Sequence, residues 1–250
     1  MKSKAYEFIG ALICPHKCAG CGEVLNLFSE DFDPSATFCP KCRAEWERAK
    51  ILPCKTCRLA AIECSCVPDV LQDVPVASVF KFGTVASADR LIYLIKRKRL
   101  PRVYDFVADE LARRIISFSR ERDIDLSNSI ITYGPRKRNS IIRYGFDHGR
   151  TLAEAVAEKL QIPACKTLRR RGNGRDQKKL TKEQRMMNSS NRFVFLKKAD
   201  VKGKTVIIID DVITTGATVA SCVMAIYENE PEKIVVLCLA KGNKTEKEKN

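Results

Sequence analysis

The sequence predicts an α/β domain on a mostly parallel sheet flanked by helices, behind a small N-terminal four-cysteine zinc-binding domain. Three observations predict it. Apolar runs of strand length alternate with amphipathic runs of helix length from Val76 to Leu239, the pattern of a sheet with crossover helices. Nine of the twelve cysteines lie between Cys14 and Cys66. The charge changes at the same place: residues 1–70 carry 9 basic and 9 acidic side chains, residues 71–250 carry 36 and 21. The expected organisation is therefore a cysteine-rich, double zinc-ribbon-like unit over 1–70, the α/β domain over 76–240 and a charged tail over 241–250.

The 250 residues carry a net charge of +15, which suits a polyanionic partner such as a phosphate ligand, nucleic acid or acidic lipid. The longest apolar run, Ile234–Ala240, is far short of the roughly 20 residues of a membrane-spanning helix. The N-terminus is interrupted by Glu7 and lacks a small-residue cleavage site, so it reads as part of the mature chain rather than as a secretory leader. A cytoplasmic location follows, where paired cysteines bind metal more often than they form disulfides.

The cysteines fall in four close pairs: Cys18 and Cys21, Cys39 and Cys42, Cys54 and Cys57, Cys64 and Cys66. Each turn aims two thiolates at one point, and two turns complete a tetrahedron about Zn²⁺. The simplest pairing is sequential, with one ion on Cys18, Cys21, Cys39 and Cys42 and a second on Cys54, Cys57, Cys64 and Cys66; a cross-braced pairing is the alternative. Cys64 and Cys66 are the tightest pair, so the count is one or two ions. Gly20 and Gly22 flank Cys21 where a turn needs a positive backbone angle. Four thiolates leave no open position for water, so the metal is structural and supplies folding free energy that so short a unit lacks. Cys165, Cys222 and Cys238 read as small core hydrophobes.

In the second domain, Val76–Phe82 reads as a strand and Ala86–Lys96 as a helix. Val103–Phe118 is an amphipathic helix on the spacing of Val103, Phe106, Val107, Leu111, Ile115 and Phe118. Ser129–Tyr133 is a β-branched strand, Thr151–Leu160 a helix ended before Pro163, and Phe193–Leu196 a strand. Val206–Ile209 suits a strand buried on both faces. Val219–Glu228 is a helix and Ile234–Leu239 the last strand.

Function is carried by the segment after Val206–Ile209. A buried strand ends in Asp210 and Asp211; Thr214, Thr215, Gly216, Ala217 and Thr218 follow, and a helix begins. Ligands of α/β sheets sit at the carboxyl ends of strands. A helix N-terminus offers unpaired N–H groups and a positive dipole end to phosphate. Gly216 admits the anion to the backbone and the threonines add hydroxyl donors. Two carboxylates there make sense facing a polyol, or Mg²⁺ bridging to further phosphate. A phosphate, vicinal hydroxyls and a metal-bound diphosphate together describe 5-phosphoribosyl-1-pyrophosphate (PRPP). The blander alternative is a strand followed by a threonine-capped helix.

The same segment looks like the signature of type I phosphoribosyltransferases. Tyr133-Gly-Pro-Arg136-Lys-Arg138, then Arg143-Tyr-Gly-Phe-Asp147-His148, resembles a block of the ComF (competence protein F, ComFC-like) family, as do Arg169…Gln177…Glu183-Gln-Arg185…Asn188 and the paired cysteines. Tyr144, Asp147 and His148 stand where that family usually has Arg, Asn and Gln. The resemblance implies a PRPP-binding phosphoribosyltransferase domain of the type I fold behind a zinc finger, with a role in competence and DNA uptake. It leaves open whether PRPP is turned over, so a transferase and a non-catalytic DNA-uptake factor that uses PRPP as a regulatory ligand both stand.

On this reading Thr214–Thr218 hold the 5-phosphate. Asp210 and Asp211 are the catalytic carboxylates, holding the ribose hydroxyls directly or through Mg²⁺ that arrives with PRPP. Arg136 grips diphosphate with its fork of donors, and Arg169 and Arg185 are further PRPP-binding residues. The polar stretch Arg169–Asn188 reads as a lid or as a solvated loop. Residues 166–198, with 12 basic and 2 acidic groups, and the cluster Lys96–Arg99 read as surfaces for single-stranded DNA or as solvated charge. The acceptor nucleophile carries no motif.

Overall fold

The computed structural model describes residues 16–25, 33, 35–171 and 192–242. Its elements are α1 (Pro40–Ile51), β1 (Val76–Lys81), α2 (Ala86–Arg97), α3 (Pro101–Glu121), β2 (Ser129–Tyr133), α4 (Arg138–Tyr144), α5 (His148–Leu160), β3 (Leu168–Arg170), β4 (Phe193–Phe195), β5 (Thr205–Ile213), α6 (Ala217–Tyr227) and β6 (Lys233–Lys241). A short 3₁₀ turn, Asp69–Leu71, joins the cysteine-rich segment to β1.

Four strands form one parallel sheet in the order β1-β6-β5-β2. Alternate residues of each strand face opposite ways, and both faces are covered. Ala77, Val79, Ile131, Ile207, Ile209, Val235 and Leu237 join the core beneath α1, α2, α3 and α5. Val76, Ile130, Val206, Ile208, Val236 and Cys238 join a second core with Leu71, Leu168, Phe193, Val219, Cys222 and Ile226. Burial on two faces explains the unbroken β-branched runs. The mostly parallel sheet flanked by helices is as the sequence predicts.

Local chemistry sets the helix ends. Pro40 and Pro101 open α1 and α3, where a missing N–H costs nothing. Gly145, at φ +78°, closes α4. Asp147 caps α5 by accepting from the N–H groups of Gly149 and Arg150.

The cysteine-rich segment packs into the same core as the sheet. Trp46 of α1 is fully buried against Phe80 of β1 and Phe106 of α3. Arg102 donates to the carbonyls of Ala36 and Lys17, and Arg90 to that of Cys21 at 2.6 Å. Lys50 meets the buried Glu110 at 3.2 Å. Such interlocking explains how a short cysteine segment stays ordered: larger neighbours provide the apolar surface it lacks.

Several boundaries differ from expectation by a few residues: α3 and α5 begin earlier, α6 begins at Ala217 rather than Val219, and two strand ends are extended. β5 runs to Ile213 rather than Ile209, because Asp210, Val212 and Ile213 stay in register with Cys238, Ala240 and Lys241. The two carboxylates therefore stand within the strand's last turns of pleat. β6 likewise includes Lys241, so the expected charged tail begins inside the sheet; residues 243–250 lie outside the described residues.

Candidate anion-binding active site and cysteine centres

The carboxyl ends of β2 and β5 open on a cleft of about 420 Å³. Its floor is Ile209–Ile213, one wall is Thr214–Val219, and the other is Gly134–Lys137 with Ser140, His148 and Gly149. Lys96, Arg170 and Arg192 complete the lining. Of the residues singled out in the sequence, Asp210, Asp211, Thr214, Thr215, Gly216, Ala217, Thr218 and Arg136 meet here.

Gly216 caps α6 at φ +75°, a left-handed angle that suits glycine. The amide of Ala217 approaches Thr215 Oγ1 at 3.5 Å, while Thr214, Thr215 and Thr218 are solvent-exposed. Exposed threonines and the first-turn amides of an 11-residue helix thus line the same end of the cleft, a setting suited to a phosphate dianion. The second loop comes close behind it: a Cβ at Gly134 would lie 3.1 Å from Cys222 Sγ of α6, so only glycine lets β2's exit loop lie this near the helix.

Asp147 organises that second loop. Its Oδ2 accepts from the Arg136 amide at 3.0 Å and its Oδ1 from Gly149 at 3.1 Å. Arg136 stacks 4.5 Å above the Tyr144 ring and donates to the Lys96 carbonyl at 2.9 Å. Arg170 donates to the Pro135 carbonyl at 3.3 Å. Tyr144 and Asp147 both support Arg136.

The two carboxylates have opposite surroundings. Burial, then the neighbouring Asp211 charge, push the Asp210 carboxyl up to about 7. Burial also opposes ionisation of Asp211, but His148 and Lys96 outweigh it and hold that carboxyl below its ordinary range. His148 Nε2 lies 2.9 Å from Asp211 Oδ2, and Lys96 Nζ 3.3 Å from Oδ1. Asp211 is ionised and cation-flanked, while Asp210 is poised to hold a proton near neutral pH. Both supply oxygen donors of the kind Mg²⁺ takes.

Sequence reasoning did not assign Lys96, His148, Arg170 or Arg192 to the site. Lys96 was grouped with an exposed basic cluster, yet it closes on Asp211 from the last turn of α2. Arg170 and Arg192 sit at the base of the polar stretch, where β3 and β4 pair antiparallel and the Arg171 amide donates to the Arg192 carbonyl at 2.9 Å. β3 was not foreseen. Arg169, paired with Val194, lines a neighbouring groove of about 600 Å³ instead. Arg99, Arg138, Arg150 and Lys166 share that groove, which meets the cleft at Pro135, Arg136 and Arg170. Arg185 and the rest of the expected lid, residues 172–191, lie outside the described residues.

The cysteines gather as two groups, Cys18, Cys21, Cys39 and Cys42, and Cys54, Cys57, Cys64 and Cys66, each with its sulfurs within 4.8 Å of one another. This is the sequential pairing. Each group could hold a metal ion, and the described cysteines are all free thiols. Burial works to raise the Cys18 thiol, but the amides of Cys21, Cys39 and Gly20 outweigh it and bring it to about 7. For Cys54 the same contest, with the Cys57 and Thr56 amides and the Lys81 ammonium, ends at about 6. One thiol in each group is thus favoured as thiolate, while burial raises Cys21, Cys42 and Cys66. Gly22 has φ +84°, as a turn requires, whereas Gly20 is needed for closeness: a Cβ there would lie 2.7 Å from Cys42 Sγ.

Residues 147–250 match the family model described as the phosphoribosyl transferase domain. No curated protein matches the chain. Among solved structures it is similar to the allosteric regulatory enzyme of purine biosynthesis, at 18% identity and TM-score 0.38 over 59% of this chain and 30% of that one. It is also similar to a Trypanosoma cruzi hypoxanthine phosphoribosyl transferase, at 16% identity and TM-score 0.35 over 55% and 64% of the two chains. A hypoxanthine-guanine phosphoribosyltransferase from Bacillus anthracis shares 18% identity at TM-score 0.36, over 59% and 72%. The chain thus spans less than two thirds of the first two. No helix of the described residues is long and apolar enough to cross a membrane.

Proposed function

We propose that the chain binds PRPP in the β2/β5 cleft and acts as a phosphoribosyltransferase. The observation that carries this reading is the joining, in one cleft, of a strand-end carboxylate pair, a glycine-capped helix N-terminus and a second loop bearing Arg136. The match of residues 147–250 to the phosphoribosyl transferase domain supports it.

Thr214–Thr218 take the 5-phosphate. Asp211, ionised, accepts from a ribose hydroxyl, and Asp210 keeps a proton near neutral pH. Arg136, with Arg170 and Arg192, faces the diphosphate and stabilises the charge that grows as it leaves. Mg²⁺ carried with PRPP would be held by the Asp210–Asp211 pair and would neutralise the diphosphate. A nitrogen nucleophile forms the new bond to the anomeric carbon as the carbon–oxygen bond to diphosphate breaks with its electron pair. Each cysteine group holds one Zn²⁺ in a closed, structural site, in keeping with free thiols in a reducing cytoplasm.

The groove of Arg99, Arg138, Arg150, Lys166 and Arg169 favours a second reading: a ComF-like DNA-uptake factor in which PRPP regulates single-strand binding. Diphosphate release from PRPP across a panel of nitrogen nucleophiles tests the transferase. Salt-dependent single-strand binding with no release across that panel replaces it with the factor.

A further inference from the structure

The segment after the second cysteine group runs directly onto the anion loop. Three residues beyond Cys66, the 3₁₀ turn Asp69–Leu71 begins, and its Leu71 is 1% exposed. A Cβ at Gly216 would lie 3.0 Å from Leu71 Cδ1 and 3.1 Å from Val70 Cγ2. Leu71 and Val70 therefore back the residue whose left-handed turn aims the α6 amides into the cleft.

A second tie reaches the loop from the other side. Lys241, 2% exposed at the end of β6, donates from Nζ to the Cys64 carbonyl. Lys241 is in register with Ile213, and the next residue, Gly242, donates to the Ile213 carbonyl at 2.7 Å. A Cβ at Gly242 would lie 3.3 Å from Thr214 Cα. The anion loop thus starts against Gly242 and ends against Leu71; Leu71 follows the second cysteine group by five residues, and Gly242 follows Lys241, which bonds Cys64. Lys81, also buried, adds a positive charge beside Cys54. The first group is different: its tie to the domain runs through Arg90 and Arg102, on the far side of the sheet from this loop.

We propose that Leu71, Val70 and Lys241 are positioning residues for the anion loop, and that zinc on Cys54, Cys57, Cys64 and Cys66 sets its affinity for a sugar phosphate. The inference rests on the PRPP reading of that loop. Zinc draws the four cysteines together and fixes the chain at Cys64 and Cys66. That fixes the Leu71 wedge and the Lys241 anchor, and so the Gly216 turn. Without the ion the wedge is held by its own packing alone, and the loop samples arrangements in which the amides diverge. Because coupling is reciprocal, a sugar phosphate in the loop also holds zinc on the second group.

Calorimetry with ribose 5-phosphate on the full, zinc-loaded chain tests this, with zinc per chain and Tm measured on each sample. Cys66→Ser is expected to lose one ion and to bind ribose 5-phosphate about tenfold more weakly, a common size for such coupling. Cys21→Ser loses the other ion and keeps the affinity. Leu71→Ala keeps both ions and, at a temperature well below its measured Tm, weakens binding; Leu71→Met restores it. In wild type, ribose 5-phosphate slows removal of one ion by a chelator and leaves the other unchanged. Equal affinity in wild type, Leu71→Ala and Cys66→Ser overturns the inference and leaves the PRPP reading intact. Should Cys66→Ser not fold, the Leu71 pair and the chelator rates decide alone. Absence of any ribose 5-phosphate binding by wild type overturns the functional reading, and the inference with it.

Discussion

The Asp211 carboxylate meets His148 Nε2 at 2.9 Å across the mouth of the cleft. His148 is the first residue of α5, placed by the Asp147 cap, and Asp211 lies near the end of β5. With Lys96 on its other oxygen, Asp211 stays ionised where two carboxylates would otherwise compete for one proton. Asp211→Asn removes the charge-assisted bond to a ribose hydroxyl, worth about 1.5–3 kcal/mol. PRPP affinity should fall by one to two powers of ten in titration calorimetry. His148→Gln keeps a donor and should cost less than Asp211→Asn; the reverse order would remove His148 from its supporting role.

Asp210 gives a pH signature. Its folded carboxyl is raised to about 7 by burial and by Asp211, above the unfolded value of about 3.9. The folded state therefore favours the protonated form: the benefit is complete below the unfolded value and is lost as pH climbs through the folded one. Asp210→Asn mimics the protonated form permanently. Its Tm should exceed wild type, and by more at pH 8 than at pH 5. A pH-independent difference would contradict the raised carboxyl.

Glu110 links the cysteine-rich segment to α3. Burial opposes its ionisation, but Arg113 and Lys50 outweigh this and hold it below its ordinary range. Its contribution is present above the unfolded value of about 4.3 and is lost as pH falls through the lower folded one. Glu110→Ala leaves Lys50 without its buried partner. The expected loss is about 2 kcal/mol in urea unfolding at pH 7, less than for a fully buried pair because both cations reach water. Wild type and variant should converge toward pH 3.

The cysteine groups fix a stoichiometry. Two groups of four thiols should carry two zinc ions per chain by elemental analysis. Cys39→Ser and Cys57→Ser should each remove one ion, from different groups. A single ion in wild type would leave one group as plain packed thiols.

Much of this was legible in the sequence because burial leaves a direct trace. Ser129–Tyr133 and Val206–Ile209 read as strands because both of their faces are covered, so β-branched residues dominate them and no charge interrupts them. The Asp210–Gly216 segment was legible because its chemistry is local. α1 was missed although Cys42, Trp46 and Ala49 recur at helical spacing, since they are three apolar residues among many charges. α4 left no pattern because none of its residues is buried. Lys96 and His148 were illegible as site residues for another reason. Only the crossing of α2 and α5 over the sheet brings them to Asp211, and no local spacing encodes that approach.

The central claim is that the turn from β5 into α6 seats a sugar phosphate, and the most direct measurement is PRPP binding by calorimetry with Mg²⁺, on wild type and on Gly216→Val. The account predicts saturable binding at one site per chain for wild type. It predicts loss of binding for the variant, whose branched side chain cannot adopt φ +75° and would collide with Leu71. Undiminished binding in a folded Gly216→Val protein would contradict it.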